Sequence, residues 1–279
     1  MRGVKRVCLH ACLLSGLFVI LLPIYLAFVA ASLQAQDFIS APTPFLPGGQ
    51  FFHNIKTVLF EGMAVTGGHA VSTMLFNSFI MAMVIALGKI AVSLLSAYAL
   101  IYFDFPFKKL MFWLIFLTLM LPVEVRIVPT FQVAANLNLL NSYAGLTLPL
   151  IASATATFLF RQFFMTLPSE LLEAAKLDGA GPIQFFKDIL LPVSKTNIAA
   201  LFIIMFIYGW NQYLWPLVIT TDSKMSTIVM GIQYLAGVAD QIPQWHYIMA
   251  IALLAMLPPL MIIIVMQRLF EKGLLETDK

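Results

Sequence analysis

The sequence predicts an all-α membrane protein with six transmembrane helices. Of its 279 residues, 61% are hydrophobic and 10% are charged, whereas a soluble domain is about 45–50% apolar and about 25% charged. The mean hydropathy is +0.94. The apolar residues form long runs without the alternation typical of barrel strands. The net charge of +3 is too small and too scattered to indicate a nucleic-acid surface.

Six apolar runs are long enough to cross a hydrocarbon core about 30 Å thick. The first run follows Arg2, Lys5 and Arg6, as the apolar core of a secretory signal does. It is longer than the core of about 7–15 residues that is typical of such signals, so its length favours an uncleaved anchor helix. The third is the weakest, because Pro122 and Pro129 interrupt its outer end. The predicted helices are residues 9–33, 73–101, 110–131, 144–167, 198–220 and 248–269.

Lysines and arginines outside these helices predict that both termini are cytoplasmic, since positive charges concentrate on that side of a membrane. With the N-terminus inside, only Lys56, Arg126 and Lys224 fall outside, while Lys89 lies within the second helix. The cytoplasmic residues are Arg2, Lys5, Arg6, Lys108, Lys109, Arg161, Lys176, Lys187, Lys195, Arg268, Lys272 and Lys279.

This topology divides the chain into an anchor helix (1–33), a periplasmic loop (34–71), a membrane core (72–270) and a cytoplasmic tail (271–279). The loop is expected to be folded, because its phenylalanines would be costly to leave in water. They are Phe38, Phe45, Phe51 and Phe52.

The cytoplasmic segment 168–192, between the fourth and fifth helices, predicts two short helices joined by a glycine turn. Ser169 is a suitable N-cap and Gly179 suits the end of the first helix. Pro182 opens the second helix and Pro192 closes it. An exposed amphipathic segment of this kind fits a partner's groove, and the alternatives are an interfacial helix on lipid headgroups or a plain folded linker.

The same segment resembles the EAA motif of the permease subunits of binding-protein-dependent ABC importers. That motif is E-A-A-x-x-D-G-A followed by a hydrophobic helix and L-P, in the cytoplasmic loop before the last two helices, and every position is filled. The matching residues are Glu173, Ala174, Ala175, Asp178, Gly179, Ala180 and Pro192.

Nearly the whole chain resembles the carbohydrate-importer branch of that family, whose smaller permease has six helices and the type I importer fold. Within that branch, three stretches resemble the permeases of sn-glycerol-3-phosphate importers. They are LMLPVEVRIVPT from Leu119, NSYAGLTLPLIASATATFLFRQFFMTLP from Asn141 and FIYGWNQYLWPL from Phe206.

The resemblance implies a mechanism and a set of partners. The motif would form a coupling helix in a cleft on a cytoplasmic ATPase subunit, where Glu173 makes polar contacts and Gly179 gives the turn. A homologous sister permease, an ATPase homodimer holding ATP and Mg, and a periplasmic binding protein would complete the importer, and this chain would bind no cofactor. The implied cargo is sn-glycerol-3-phosphate with related glycerophosphodiesters; a sugar or polyol is the alternative.

The chain has no phosphate-binding loop of its own. The nearest match to G-x-x-x-x-G-K-[ST] is Gly88-Lys89, with Met83 in place of the first glycine and Ile90 in place of the hydroxyl residue. Two cysteines, Cys8 and Cys12, are too few ligands for a metal site. The four histidines are scattered, so an intramembrane hydrolase is only a distant alternative.

Lys89 and Asn77, both on the second helix, are candidates for the substrate path. A charge at mid-membrane costs roughly 2.5 to 3.5 kcal/mol, and the Lys89 ammonium would attract a phosphate; pairing across the permease interface is the alternative. Asn77 either lines the path or ties helices together.

The fifth helix and the outer end of the third supply the other candidates. Tyr208, Asn211, Gln212 and Trp215 either face the path or belong to the interfacial aromatic belt. Glu124 and Arg126 are candidates for a periplasmic gate or a contact with the binding protein, or they form a local ion pair.

Overall fold

The computed structural model describes residues 2–38, 44–62, 68–118, 123–236 and 244–276. These residues form helices, turns and loops without a strand, so the predicted all-α fold class is confirmed. The helices are α1 (Arg2–Ala31), α2 (Phe51–Phe60), α3 (Val71–Tyr102), α4 (Lys108–Leu117), α5 (Val123–Asn136), α6 (Tyr143–Thr147), α7 (Ala154–Thr166), α8 (Ser169–Leu177), α9 (Pro182–Gln184), α10 (Leu191–Val193), α11 (Lys195–Trp210), α12 (Leu214–Ile219), α13 (Ile228–Ala236) and α14 (Trp245–Glu276).

Three helices in the described part of the chain are long and apolar enough to cross a membrane on their own. They correspond to the first, second and sixth predicted spans. Their apolar parts are Arg6–Ala31, Val71–Tyr102 and Trp245–Gln267.

Two further pairs of helices pass the same test only when each pair counts as one bent span. The bend is 47° between Tyr143–Leu150 and Ala154–Thr166, and 73° between Pro182–Val193 and Lys195–Trp210. The third predicted span corresponds to the two separate helices α4 and α5. The weak point expected at Pro122 lies outside the described residues, and Pro129 lies inside α5.

The prediction of a continuous helix over residues 144–167 is wrong, and two side chains explain the break. Pro149 has no N–H for the Gly145 carbonyl four residues earlier, and Trp215 Nε1 donates to that carbonyl instead at 3.0 Å. Ser153 is extended and its hydroxyl accepts from the Ala156 N–H at 3.2 Å, which starts α7 afresh.

The helix predicted over residues 198–220 also breaks. It ends at Trp210, and a short turn leads to α12 at Leu214. Pro216 has no N–H for the Gln212 carbonyl, so the chain cannot continue as a regular helix through this point.

The chain divides into two compact units, one made of Met1–Phe76 and Ser226–Pro258 and the other of Asn77–Met225 and Pro259–Lys279. The predicted division at residues 33, 71 and 270 follows membrane topology and stays a prediction.

In the first unit, Asn54 of α2 holds the end of α1. Its side-chain amide donates to the Ala31 carbonyl at 2.8 Å and to the Leu33 carbonyl at 2.9 Å. Carbonyls at the C-terminal end of a helix have no donor within the helix, so Asn54 supplies hydrogen bonds that they would otherwise lack. In the described part of the loop, Phe51 packs against Phe28 with ring centroids 4.9 Å apart. Phe45 and Phe52 are nevertheless exposed within this chain.

In the second unit, the core forms where α3 meets α5, α6 and α12. Its centre is a cluster of buried side chains around Trp215. Close approach also occurs between α11 and α3, because a Cβ on Gly209 would lie 2.9 Å from the Ala82 Cα. The cluster consists of Met81, Ile85, Ala134, Leu146, Leu150, Trp215 and Ile219.

Replacing Gly209 by leucine is expected to destabilise the protein by about 1–3 kcal/mol, because the side chain must displace the α3 backbone. The measurement is the thermal unfolding midpoint of the purified permease in detergent, which should fall. Gly16→Leu is the matched control, since a Cβ on Gly16 meets nothing within 4 Å. Equal unfolding midpoints for the two variants would contradict this packing.

Candidate functional site

The EAA-like segment contains the two predicted short helices. Helix α8 begins at Ser169, so the prediction of Ser169 as N-cap is wrong by one residue. Pro168 occupies the cap position with φ −63° and ψ 140°, and its fixed φ turns the chain directly into the helix. Glu170 lies in the first turn and Lys176 in the last. Each charge interacts favourably with the helix dipole at its position and so stabilises α8.

The turn at Gly179 ends α8 as predicted. Gly179 has φ +76°, the left-handed conformation that costs other residues energy. Its N–H donates to the Lys176 carbonyl at 3.1 Å, and the Ala180 N–H donates to the Ala175 carbonyl at 2.9 Å. These two bonds make a Schellman motif, which satisfies carbonyls at the helix end.

The second helical part of the segment is fixed to α3. It runs from α9 through a π-helical turn, Phe185–Leu190, to α10. The Tyr98 hydroxyl donates to the Pro182 carbonyl at 2.8 Å, and the Tyr102 ring lies 5.2 Å from the Phe185 ring. Sequence reasoning missed both tyrosines, although their spacing of four residues puts them on one helix face.

The segment presents an apolar surface with charged neighbours. Leu177 is 89% exposed and Ile183 is 82% exposed, whereas Ala175 is buried. Glu173, Ala174, Asp178 and Gly179 are exposed, and Ala180 is half-buried. Two large apolar side chains held out from a rigid turn suit a groove on another protein.

A cavity of about 420 Å³ lies beside Lys89, near the middle of α3. Lys89 is buried, and its Nζ lies 3.5 Å from the centroid of the Tyr208 ring, within cation–π range. Arg126 of α5, Ser153 and Thr155 line the same cavity. Among the predicted path and gate residues, the structure thus brings Lys89, Tyr208 and Arg126 together.

The other predicted path residues do not line this cavity. Asn77 is buried, accepts from the Tyr143 hydroxyl at 2.7 Å and donates to the Lys224 carbonyl at 2.8 Å, so it ties helices together. Trp215 belongs to the core cluster. The Gln212 side chain donates to the Tyr208 carbonyl at 3.1 Å. Asn211 is exposed at the end of α11.

Arg126 is exposed on α5 and reaches the cavity. The side chain of Glu124, its predicted companion, lies outside the described residues.

Comparisons with known proteins identify the family. Residues 89–276 match the model of the binding-protein-dependent transport system inner membrane component. The chain is 52% identical over 278 residues to the sn-glycerol-3-phosphate transport system permease protein of Agrobacterium fabrum, covering 100% of this chain and 99% of the relative. It belongs to the binding-protein-dependent transport inner membrane components.

Further relatives and a solved structure agree with this membership. Proteins of the same description are 56% identical in Yersinia pestis, over 100% of this chain and 98% of the relative, and 57% identical in Salmonella typhi, over 97% and 96%. The fold matches a subunit of a bacterial ABC transporter involved in the import of the acidic polysaccharide alginate, with a TM-score of 0.81, 18% identity and coverage of 96% and 98%.

This family places the chain in the inner membrane as a multi-pass transport component. The suspected membership in the ABC importer permeases is confirmed, and so is the permease fold. Since the family consists of transport components, the intramembrane hydrolase alternative is excluded.

Replacing Gly179 by valine is expected to loosen the end of α8, because a side chain in the left-handed conformation costs about 1–2 kcal/mol. Amide hydrogen exchange at positions 179 and 180, corrected for the intrinsic rate of each residue type, should accelerate roughly 5- to 30-fold. Gly181→Val is the matched control, since Gly181 has φ −73° and a Cβ on either glycine meets nothing within 4 Å. Equal acceleration in both variants would show that the turn does not depend on positive φ.

Proposed function

We propose that this chain is one of two permease subunits of an ATP-driven importer of sn-glycerol-3-phosphate, with glycerophosphodiesters as further cargo. The observation that carries the proposal is a buried lysine near the middle of α3 that lines a cavity together with an arginine. Two cationic side chains beside one cavity suit an anionic cargo. The names of full-length relatives that are 52–57% identical support the same cargo.

Helices α8 to α10 dock, in this proposal, into a cleft on a cytoplasmic ATPase subunit. Leu177 and Ile183 enter the cleft, Glu173 makes polar contacts at its edge, and the Gly179 turn holds the two helical parts at a fixed angle. Closure of the ATPase dimer then moves the segment, and the Tyr98 and Phe185 contacts pass that movement to α3.

The complete importer contains a sister permease, two ATPase subunits that hold ATP and Mg, and a periplasmic binding protein. Both termini of this chain are cytoplasmic, which puts segment 168–192 on the same side as the ATPase. The chain itself binds no cofactor. Hydrolysis of ATP on the partner drives the change between inward-facing and outward-facing states.

Lys89 contacts the phosphate of the cargo as it passes through the membrane. Among the residues that the structure describes, its ammonium has the Tyr208 ring as a partner and no carboxylate. A cation–π contact stabilises a desolvated cation by about 2 kcal/mol or more. It leaves the three N–H groups of the Lys89 ammonium available as hydrogen-bond donors to an anion.

The proposal is tested by uptake into proteoliposomes that contain the four-component importer. ATP and the binding protein together should drive uptake of labelled sn-glycerol-3-phosphate, and maltose should not be accumulated. Accumulation of a neutral sugar without glycerol-3-phosphate uptake would assign the permease to the sugar branch.

Lys89→Met is expected to lower the maximal rate of glycerol-3-phosphate uptake at least tenfold, because a charged hydrogen bond of about 1.5–3 kcal/mol is lost. The rate is measured at saturating binding protein in complexes shown to be assembled. Lys109→Met, at an exposed position of α4, is the matched control. An unchanged maximal rate for Lys89→Met would remove the phosphate contact and favour pairing across the permease interface.

A further inference from the structure

The bent span between α6 and α7 leaves a helix N-terminus inside the membrane part of the chain. Helix α7 has 13 residues and Ser153 as its N-cap. Ser153 satisfies two donors of the first turn, since its hydroxyl accepts from the Ala156 N–H and its carbonyl from the Thr157 N–H. The N–H groups of Ala154 and Thr155 come too early in the helix to reach an acceptor one turn before.

This N-terminus lies beside Lys89 because α3 approaches it unusually closely. A Cβ on Gly88 would lie 2.6 Å from the Ile151 side chain, so only glycine fits at this crossing. One turn further along α3, the Ser93 hydroxyl donates to the Ser153 carbonyl at 3.2 Å. The segment from Ala152 to Thr155 therefore faces the same cavity as Lys89.

Lys89 supplies an observation independent of the helix N-terminus. Its side chain is more than nine-tenths buried, with 5% exposure, and it lines the cavity. The Lys89 ammonium contacts the Tyr208 ring. Within the described part of the chain it forms no ion pair with a carboxylate and donates no hydrogen bond. Arg126 adds a second positive charge to the cavity wall. A lysine, an arginine and a helix N-terminus all favour an anion at one place.

We propose that the first turn of α7 and the Lys89 ammonium together form the phosphate site of the transport path. Phosphate oxygens accept from the Ala154 and Thr155 N–H groups, from the Thr155 hydroxyl and from Lys89 Nζ. Tyr208 covers the ammonium when the site is empty and is displaced by the phosphate. Broken transmembrane helices of other transporters direct half-helix N-termini at anionic groups in the same manner.

The site rests on the proposed function and adds a specificity to it. A phosphate monoester carries up to two negative charges and three terminal oxygens, which match two side-chain cations and two backbone donors. A neutral sugar gains nothing from these charges. The permease itself therefore contributes to selection of the phosphate group.

Proline at position 154 tests the backbone donors. Ala154 is the first residue of α7, where proline is favoured, and Ser153 before it already has the extended conformation that proline requires, with φ −143° and ψ 105°. Ala154→Pro thus removes one N–H while the helix start is kept. Its maximal rate of glycerol-3-phosphate uptake in the assembled importer should be at least tenfold below that of Ala154→Val, which adds similar bulk but keeps the N–H.

A charge at position 155 tests the site without any change to the backbone. Glutamate in a first helical turn stabilises a helix, so a purely structural role predicts that Thr155→Glu is tolerated as well as Thr155→Gln. The phosphate site predicts that Thr155→Glu repels the cargo and lowers the maximal uptake rate at least tenfold below Thr155→Gln.

The outcomes separate the site from the proposed function. The wild-type importer alone reports whether glycerol-3-phosphate is carried. If the wild-type importer carries glycerol-3-phosphate, and if the two variants at position 154 have equal uptake rates and so do the two at position 155, the phosphate site is wrong and the proposed function stands. If Ala154→Pro does not assemble, the Thr155 pair decides the matter, and equal rates in that pair overturn the site.

Discussion

Burial of the Lys89 ammonium near the middle of α3 is the constraint on which the membrane part of the second unit depends. A charge at this depth needs a polar or aromatic environment, and the chain provides one through the Tyr208 ring and through a cavity that interrupts the packing. The break before α7 brings a helix N-terminus to the cavity wall, which adds partial positive charge beside the ammonium. Gly88 allows that arrangement by letting α3 approach Ile151.

Helix α3 connects this cavity to segment 168–192. Tyr98 lies nine residues beyond Lys89 on the same helix, a distance of about 14 Å at 1.5 Å per residue. Helix α3 is held near its C-terminal end by the hydrogen bond from Tyr98 to Pro182 and near its middle by contacts around the cavity. The cavity and segment 168–192 are therefore linked by one helix without a break, while two neighbouring spans are bent.

The turn at Gly179 was predictable from sequence because local chemistry determines it. Asp178-Gly179 after a helical run indicates a left-handed residue at the helix end, and the structure has Gly179 in that conformation. The long spans α1, α3 and α14 were predictable from apolar length alone. These features depend on residues close together in the chain.

The cavity depends on residues far apart, and sequence reasoning found only part of it. Lys89 was conspicuous as the charge left inside a span, but nothing local placed Arg126 or Ser153 beside it. The sequence predicts that Trp215 faces the substrate path or belongs to the interfacial aromatic belt. In the structure its indole N–H donates a hydrogen bond to the Gly145 carbonyl, which Pro149 leaves without a helical donor. Pro149 and the Ser153 cap were signals of the broken span that hydropathy concealed, since both stand in an apolar run.

The most direct measurement is a cryo-electron microscopy structure of the assembled importer, trapped with ATP analogue, binding protein and sn-glycerol-3-phosphate. The phosphate is expected between Lys89 Nζ and the first turn of α7, with oxygens about 2.7–2.9 Å from the ammonium nitrogen and with the Tyr208 ring displaced. A cargo phosphate held by the sister subunit alone, with Lys89 still beneath Tyr208 or paired with a carboxylate, would contradict this account.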